Sequence, residues 1–261
     1  MALKDITLGQ YFPGNPLLHR FDPRSKILFT VLFIAAIFLC KGLVSYGITL
    51  LILLMMIGIS KVQPRVFLKG MKPVVFIVVC TAILNLFYTS GTVLWSWGIL
   101  KITEEGIWKA GFMVLRILML IACTLLLTYT TSPILLTDGL EKLLRPLKKL
   151  NFPVHELSMM MSIALRFIPT LIQETDKIIS AQKARGADFD SGNLIQKAKA
   201  LIPILIPLFI SSFRRAEELA IAMECRCYHG DEGRTSLRQL RYAGRDYGLI
   251  VFSIALCAGI V

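Results

Sequence analysis

Few residues in this chain have the types needed for chemistry, and most fail on spacing. Cys225, Cys227 and His229 form a Cys-x-Cys-x-His fragment. A structural zinc site takes four ligands. With only 6 cysteines and 3 histidines in the whole chain there is no second Cys/His cluster to complete one, so no metal site is expected. His155-Glu156 lacks the second histidine of a His-Glu-x-x-His helix. The run GDEGRTS, from Gly230 to Ser236, has the glycines and hydroxyls of a phosphate loop but neither its spacing nor its lysine. The chain is therefore expected neither to bind nor to hydrolyse ATP. A serine membrane protease would need Gly-x-Ser-x and an intramembrane histidine, and neither is present.

Two other patterns are more informative. Ala184-Arg185-Gly186 and Cys225-Arg226-Cys227 each set an arginine between small residues. Each follows a helix-forming stretch and precedes an aromatic and acids: Asp188-Phe189-Asp190 in one case, Tyr228, Asp231 and Glu232 in the other. An arginine at a helix C-terminus gains about 0.3–1 kcal/mol from the macrodipole, so simple capping by a solvated side chain accounts for either motif alone. Two of them on parallel sequence plans fit a pair of equivalent docking points for similar subunits. Periodicity leaves both readings open. Met159, Met160 and Met161 form a run that serves either as flexible packing or as an adaptable apolar surface. Arg116 is an isolated charge in an apolar run. It is either a functional intramembrane charge or a side chain snorkelling to a nearby interface.

The elements that carry these residues are those of a membrane protein. Of the 261 residues 55% are apolar and 18% charged, against about 25% charged in a soluble domain. Residues 27–40 and 43–60 are uncharged and flank Lys41-Gly42, which predicts a helical hairpin. A third uncharged run, 73–100, spans in its first two-thirds, and a fourth span, with Arg116 as its one charge, covers about 110–131. The three tryptophans within 91–109 suit a membrane–water interface. A fifth run, 247–261, is short for a span. The expected fold is therefore all-α and polytopic, with about five transmembrane helices and a region of long helices on the cytoplasmic side. Its parts are a cytoplasmic segment 1–26, a four-helix transmembrane region 27–131, a cytoplasmic helical region 132–246 and a last transmembrane helix 247–261. The net charge of +12 is spread between the apolar runs, which suits basic loops rather than nucleic acid. The Lys/Arg bias puts the N-terminus in the cytoplasm and the C-terminus outside. Within 132–246, residues 157–172 and 201–213 are too apolar for a free loop, yet broken by Arg166 and Pro169 and by Pro203 and Pro207. They are expected not to span, but to lie at the interface or against the bundle, in two long helices at roughly 155–185 and 193–227. The prolines give the second helix a hinge. Leu205 and Phe209 would present its apolar surface.

The paired arginine motifs, with Phe21-Asp-Pro-Arg-Ser-Lys26, Arg166-Phe-Ile-Pro169 and Glu224-Cys-Arg-Cys-Tyr228, resemble the T component of energy-coupling factor transporters. The resemblance extends over essentially the whole chain. It departs from the Ala-Arg-Gly pattern at Cys225 and Cys227, where small size is kept. It implies a non-catalytic scaffold in a prokaryotic cell membrane, part of an importer for vitamins or trace nutrients. Two cytoplasmic ABC-type ATPases, which bind the ATP and Mg, would dock at Ala184-Arg185-Gly186 and Cys225-Arg226-Cys227. A membrane-embedded S component would pack on Met159, Met160, Met161, Leu205 and Phe209, with Pro203 and Pro207 as the hinge.

An autonomous transporter or channel is the alternative. It would want acidic groups at the bilayer midplane and internal repeats, but the spans carry no Asp or Glu and five do not halve.

Overall fold

The computed structural model describes residues 12, 16–40, 42–97, 100–150, 152–187, 189, 193–230, 240 and 242–260. Eight α-helices occur among them: α1 (Pro23–Leu39), α2 (Leu43–Ser60), α3 (Pro64–Tyr88), α4 (Glu104–Thr130), α5 (Pro133–Leu144), α6 (Val154–Ala184), α7 (Leu194–Glu224) and α8 (Gly244–Ile260). Short 3-10 segments cover Leu17–Arg20 and Arg145–Leu150. The helix break between α1 and α2 falls where Lys41-Gly42 predicts it. Gly42 is the N-cap of α2, and Lys41 lies outside the described residues.

The chain divides into two compact units. One holds Gly9–Leu140 and Leu240–Val261, the other Glu141–Gln239. In the first, α1 packs on α8 and α4, and α4 also receives α2 and α3. Its core joins Phe29, Phe33 and Ile37 of α1, Tyr46 and Leu53 of α2, Met119, Cys123, Leu126 and Tyr129 of α4, and Leu249 of α8. The outer faces are as apolar as the core: Val44, Phe76 and Tyr88 are exposed by 75%, 76% and 85%. That is unfavourable in water and suited to lipid.

The Phe21–Lys26 motif builds the polar end of this unit. The Asp22 side chain N-caps α1, its Oδ1 accepting from Arg24 N at 2.9 Å, and Pro23 takes the first helical position. Asp246, only 2% exposed, accepts from the Asp22 amide at 2.9 Å and from the Ala243 amide at 2.7 Å. Arg24 donates to the Leu240 carbonyl at 2.9 Å and stacks over Tyr242. The buried Lys26 ammonium donates to the Thr130 carbonyl at 3.0 Å and to Thr131 Oγ1 at 3.2 Å, with Asp22 and Asp246 acting on its charge. Buried charges persist where they are paired and hydrogen-bonded. These bonds tie the start of α1, the end of α4 and the start of α8 together.

In the second unit α6 and α7 run antiparallel. Tyr228 O–H donates to Met159 Sδ at 3.0 Å, Arg215 pairs with Glu174 at 3.1 Å, and Gln182 Nε2 donates to the Pro203 carbonyl at 3.4 Å. Ser211 also donates to Glu174. Each helix has 31 residues and is about 45 Å long. An Asn193–Gln196 capping box starts α7.

Two features differ from the sequence expectation. First, the Trp-rich segment forms an antiparallel hairpin, β1 (Val93–Trp97) and β2 (Leu100–Thr103). The alternation of β-branched and aromatic residues there is a strand signal. The two long helices of the sequence expectation are present, and α6 and α7 run through Pro169, Pro203 and Pro207. Each proline removes one hydrogen bond. Because Pro207 is four residues after Pro203, the Pro203 carbonyl loses its helical donor, and Gln182 supplies one. Second, among the described residues the helices long and apolar enough to cross a membrane are α2, α3, α4 and α7. The segment 201–213, expected to be too short, sits inside this qualifying helix. Its uncharged stretch is bounded by Lys199 and Arg214 and is about 21 Å long, against a hydrocarbon core of about 30 Å. The first and last helices, α1 and α8, have 17 residues each, the lower limit for a span.

Candidate functional site

The two arginine motifs adopt the same backbone conformation. At the end of α6, Ala187 N donates to the Gln182 carbonyl and Gly186 N to the Lys183 carbonyl, both at 3.0 Å. At the end of α7, Tyr228 N donates to the Met223 carbonyl at 3.1 Å and Cys227 N to the Glu224 carbonyl at 2.9 Å. Both are the paired 6→1 and 5→2 bonds of a Schellman cap. Arg185 is the C-cap residue of α6, whereas α7 ends at Glu224 with Cys225 as its C-cap. Gly186 and Cys227 follow the arginines in the left-handed region, at φ 87° and 55°. In both motifs the arginine stands directly before the turn-out residue.

The third position therefore requires a positive φ. A Cβ at Gly186 would meet nothing within 4 Å, so this glycine is present for its conformation and not to relieve crowding inside the chain. Cys227 adopts the same conformation with a Cβ, at a cost of about 1–2 kcal/mol. Ala184, Arg185 and Gly186 are exposed, as are Cys225, Arg226 and Cys227. Neither guanidinium meets a carboxylate among the described residues. An exposed guanidinium on a fixed cap is available for a bidentate bond to an external carboxylate.

Because α6 and α7 are antiparallel, the motifs stand at opposite ends of the pair, separated by about 45 Å of helix. Met159 lies at the Arg226 end, bonded to Tyr228, while Met160 and Met161 are exposed. Leu205 and Phe209 are exposed on α7, in a stripe with Leu201, Ile202 and Phe213. This stripe lies roughly 30 Å along the pair from the methionines, so the two apolar groups are not brought together. Leu205 lies only roughly 8 Å along the axis from Arg185, since Gln182 contacts Pro203. The 20 sequence positions from Arg185 to Leu205 conceal that proximity. Among the described residues no three His, Cys, Asp or Glu side chains gather in a way that could hold a metal ion.

Arg116 of α4 is engaged within the first unit. Its Nε donates to Tyr46 Oη at 2.9 Å, and the guanidinium lies over the rings of Phe38 and Tyr46. It joins α1, α2 and α4, a helix-bridging role that the sequence left open.

Residues 14–237 match the CbiQ family, described as cobalt transport protein. Three relatives carry the description energy-coupling factor transporter transmembrane protein EcfT. That of Ruminiclostridium cellulolyticum is 57% identical over 94% of this chain and 91% of its own length. That of Clostridium kluyveri is 54% identical over 98% and 94%. That of Bacillus subtilis is 47% identical over 98% and 97%.

Proposed function

The chain belongs to the family of energy-coupling factor transporter transmembrane proteins, and from that membership we propose that it is the scaffold subunit of an ATP-driven importer. In this reading it has no enzymatic activity. Two cytoplasmic ABC-type ATPase subunits bind ATP and Mg, and they dock at Arg185 and Arg226. A membrane-embedded S component, which carries a vitamin or other trace nutrient, packs on the apolar stripe of Leu205 and Phe209 and on Met159, Met160 and Met161. ATP-driven movement of the ATPases shifts α6 and α7, with Pro203 and Pro207 as the compliant points of α7, and so moves the S component. The N-terminus lies in the cytoplasm and the C-terminus outside.

The observation that carries this reading is the identity of the two caps. Two exposed arginines, each directly before the left-handed residue of a Schellman motif, stand at opposite ends of one antiparallel helix pair. That suits two similar partners held apart and moved together.

Co-purification in mild detergent tests the proposal, with the ATPases and S component expressed alongside the chain. The Arg185→Ala, Arg226→Ala double variant should lose the ATPases and keep the S component. Truncating one side of a buried charged contact costs about 2–5 kcal/mol, so each single variant should retain the ATPases more weakly. Phe209→Asp should release the S component. Arg226 is the cleaner comparison for it, because Arg185 lies close to Leu205. Full uptake by the double arginine variant, or loss of the same partner by both classes of variant, would refute the two-sided scaffold.

A further inference from the structure

We propose that Arg145–Leu150, the 3-10 segment between α5 and α6, is an anionic-phospholipid site that fastens this part of the chain to the membrane surface. Such a site requires only a membrane-embedded chain, and neither ATPase nor S-component docking. The segment reads RPLKKL, and all six of its residues are exposed. A 3-10 helix has three residues per turn, so side chains at i and i+3 are eclipsed. Leu147 and Leu150 therefore form one row, flanked by Arg145 and Lys148 on one side and by Pro146 and Lys149 on the other. An apolar row between cationic rows is the pattern of an element lying in the headgroup layer. The row is most open at its end: Leu147 is 37% exposed and Leu150 80%, and Phe152 two residues later is 43% exposed.

Glu141, the acid four residues before Arg145, accepts from Ser158 Oγ at 2.8 Å and contacts His155 Nδ1 at 3.2 Å. The covalent tether is short. Only α5 separates the segment from the end of α4 at Thr130, and Gly139 of α5 lies against Pro23 at the start of α1. The Lys26–Thr130 bond marks that start and the end of α4 as one end of the helical bundle. Lysines and arginines so close to a span are within reach of anionic headgroups. An acidic protein surface would satisfy the cations but would leave the leucine row without a reason to be exposed.

Amide hydrogen exchange on the full chain in lipid nanodiscs tests this. The peptide covering 144–152 should exchange at least about threefold more slowly with phosphatidylglycerol in the disc than in pure phosphatidylcholine. About 0.5 M NaCl should remove most of the difference, since it screens exposed charge. The R145Q/K148Q/K149Q variant should exchange at the same rate in both lipids, with unchanged exchange across 160–180 reporting an intact fold. Leu147→Ser with Leu150→Ser should weaken the lipid effect although the charges remain. Equal exchange of the unmodified chain in the two lipids would overturn the proposal, and so would protection that appears only when ATPase subunits are added.

Discussion

Replacing Cys227 by glycine should tighten the end of α7, and replacing Gly186 by alanine should loosen the end of α6. Both positions are the turn-out residue of a Schellman cap, at φ 55° and 87°. An L-residue there bears about 1–2 kcal/mol of strain. Glycine avoids this but gives back about 0.4–1 kcal/mol through the greater freedom of its unfolded chain. The net preference for glycine is about 1 kcal/mol at either site, so the two substitutions act with opposite sign. Crowding does not enter at Gly186, where an added Cβ has open space. Cys225→Ala is the control: that residue sits in the right-handed region, at φ −59° and ψ −21°, and should change little. Hydrogen exchange reads the effect at the amides that make the cap, Gly186 and Ala187 in one case, Cys227 and Tyr228 in the other. One kcal/mol is about a fivefold change in local opening. Exchange at Cys227 and Tyr228 should slow by about that factor in Cys227→Gly, and exchange at Gly186 and Ala187 should quicken by as much in Gly186→Ala. Faster exchange in Cys227→Gly would refute the assignment of conformation, rather than small size, as the requirement. The same reasoning expects Cys225→Ala combined with Cys227→Gly to keep uptake, and loss of uptake with assembly intact would restore a thiol role.

Two further substitutions probe the helical bundle. Asp246→Asn leaves only one oxygen for the Asp22 and Ala243 amides and removes a counter-charge of Lys26; it should cost about 3 kcal/mol, seen as a thermal midpoint lower by several degrees in detergent. Tyr46→Phe removes the acceptor for Arg116 and should cost about 1 kcal/mol. Added to Arg116→Met it should cost almost nothing more, and additive losses in that double-mutant cycle would refute the bridge.

The contrast between what was legible in the sequence and what was not follows the range of the interactions. Uninterrupted apolar runs and the Lys41-Gly42 break are local, and they predict the α1–α2 hairpin and the extents of α6 and α7 to within a few residues. The arginine motifs were visible as composition. Their conformation was not, because a cysteine is an unusual residue for the left-handed region, and nothing in Cys-Arg-Cys announces the positive φ of Cys227. The prolines interrupt the apolar runs without ending the helices. A proline deletes a hydrogen bond wherever it stands, but whether the helix breaks depends on what else can satisfy the freed carbonyl. At Pro203 that group is Gln182, on the other helix. The Asp22–Asp246 bond joins residues 224 positions apart, beyond any periodicity.

These long-range bonds bear directly on the candidate site. The antiparallel pairing, held by Glu174 with Arg215 and Ser211 and by Tyr228 with Met159, turns two motifs that follow one another in sequence into the two ends of a single lever. A force applied at Arg226 is delivered beside the start of α6, and one applied at Arg185 beside Leu205 and the start of α7. Sequence order assigns each arginine to its own helix. The packing assigns each to both, so partners docked at the two arginines, as proposed, would act on one helix pair.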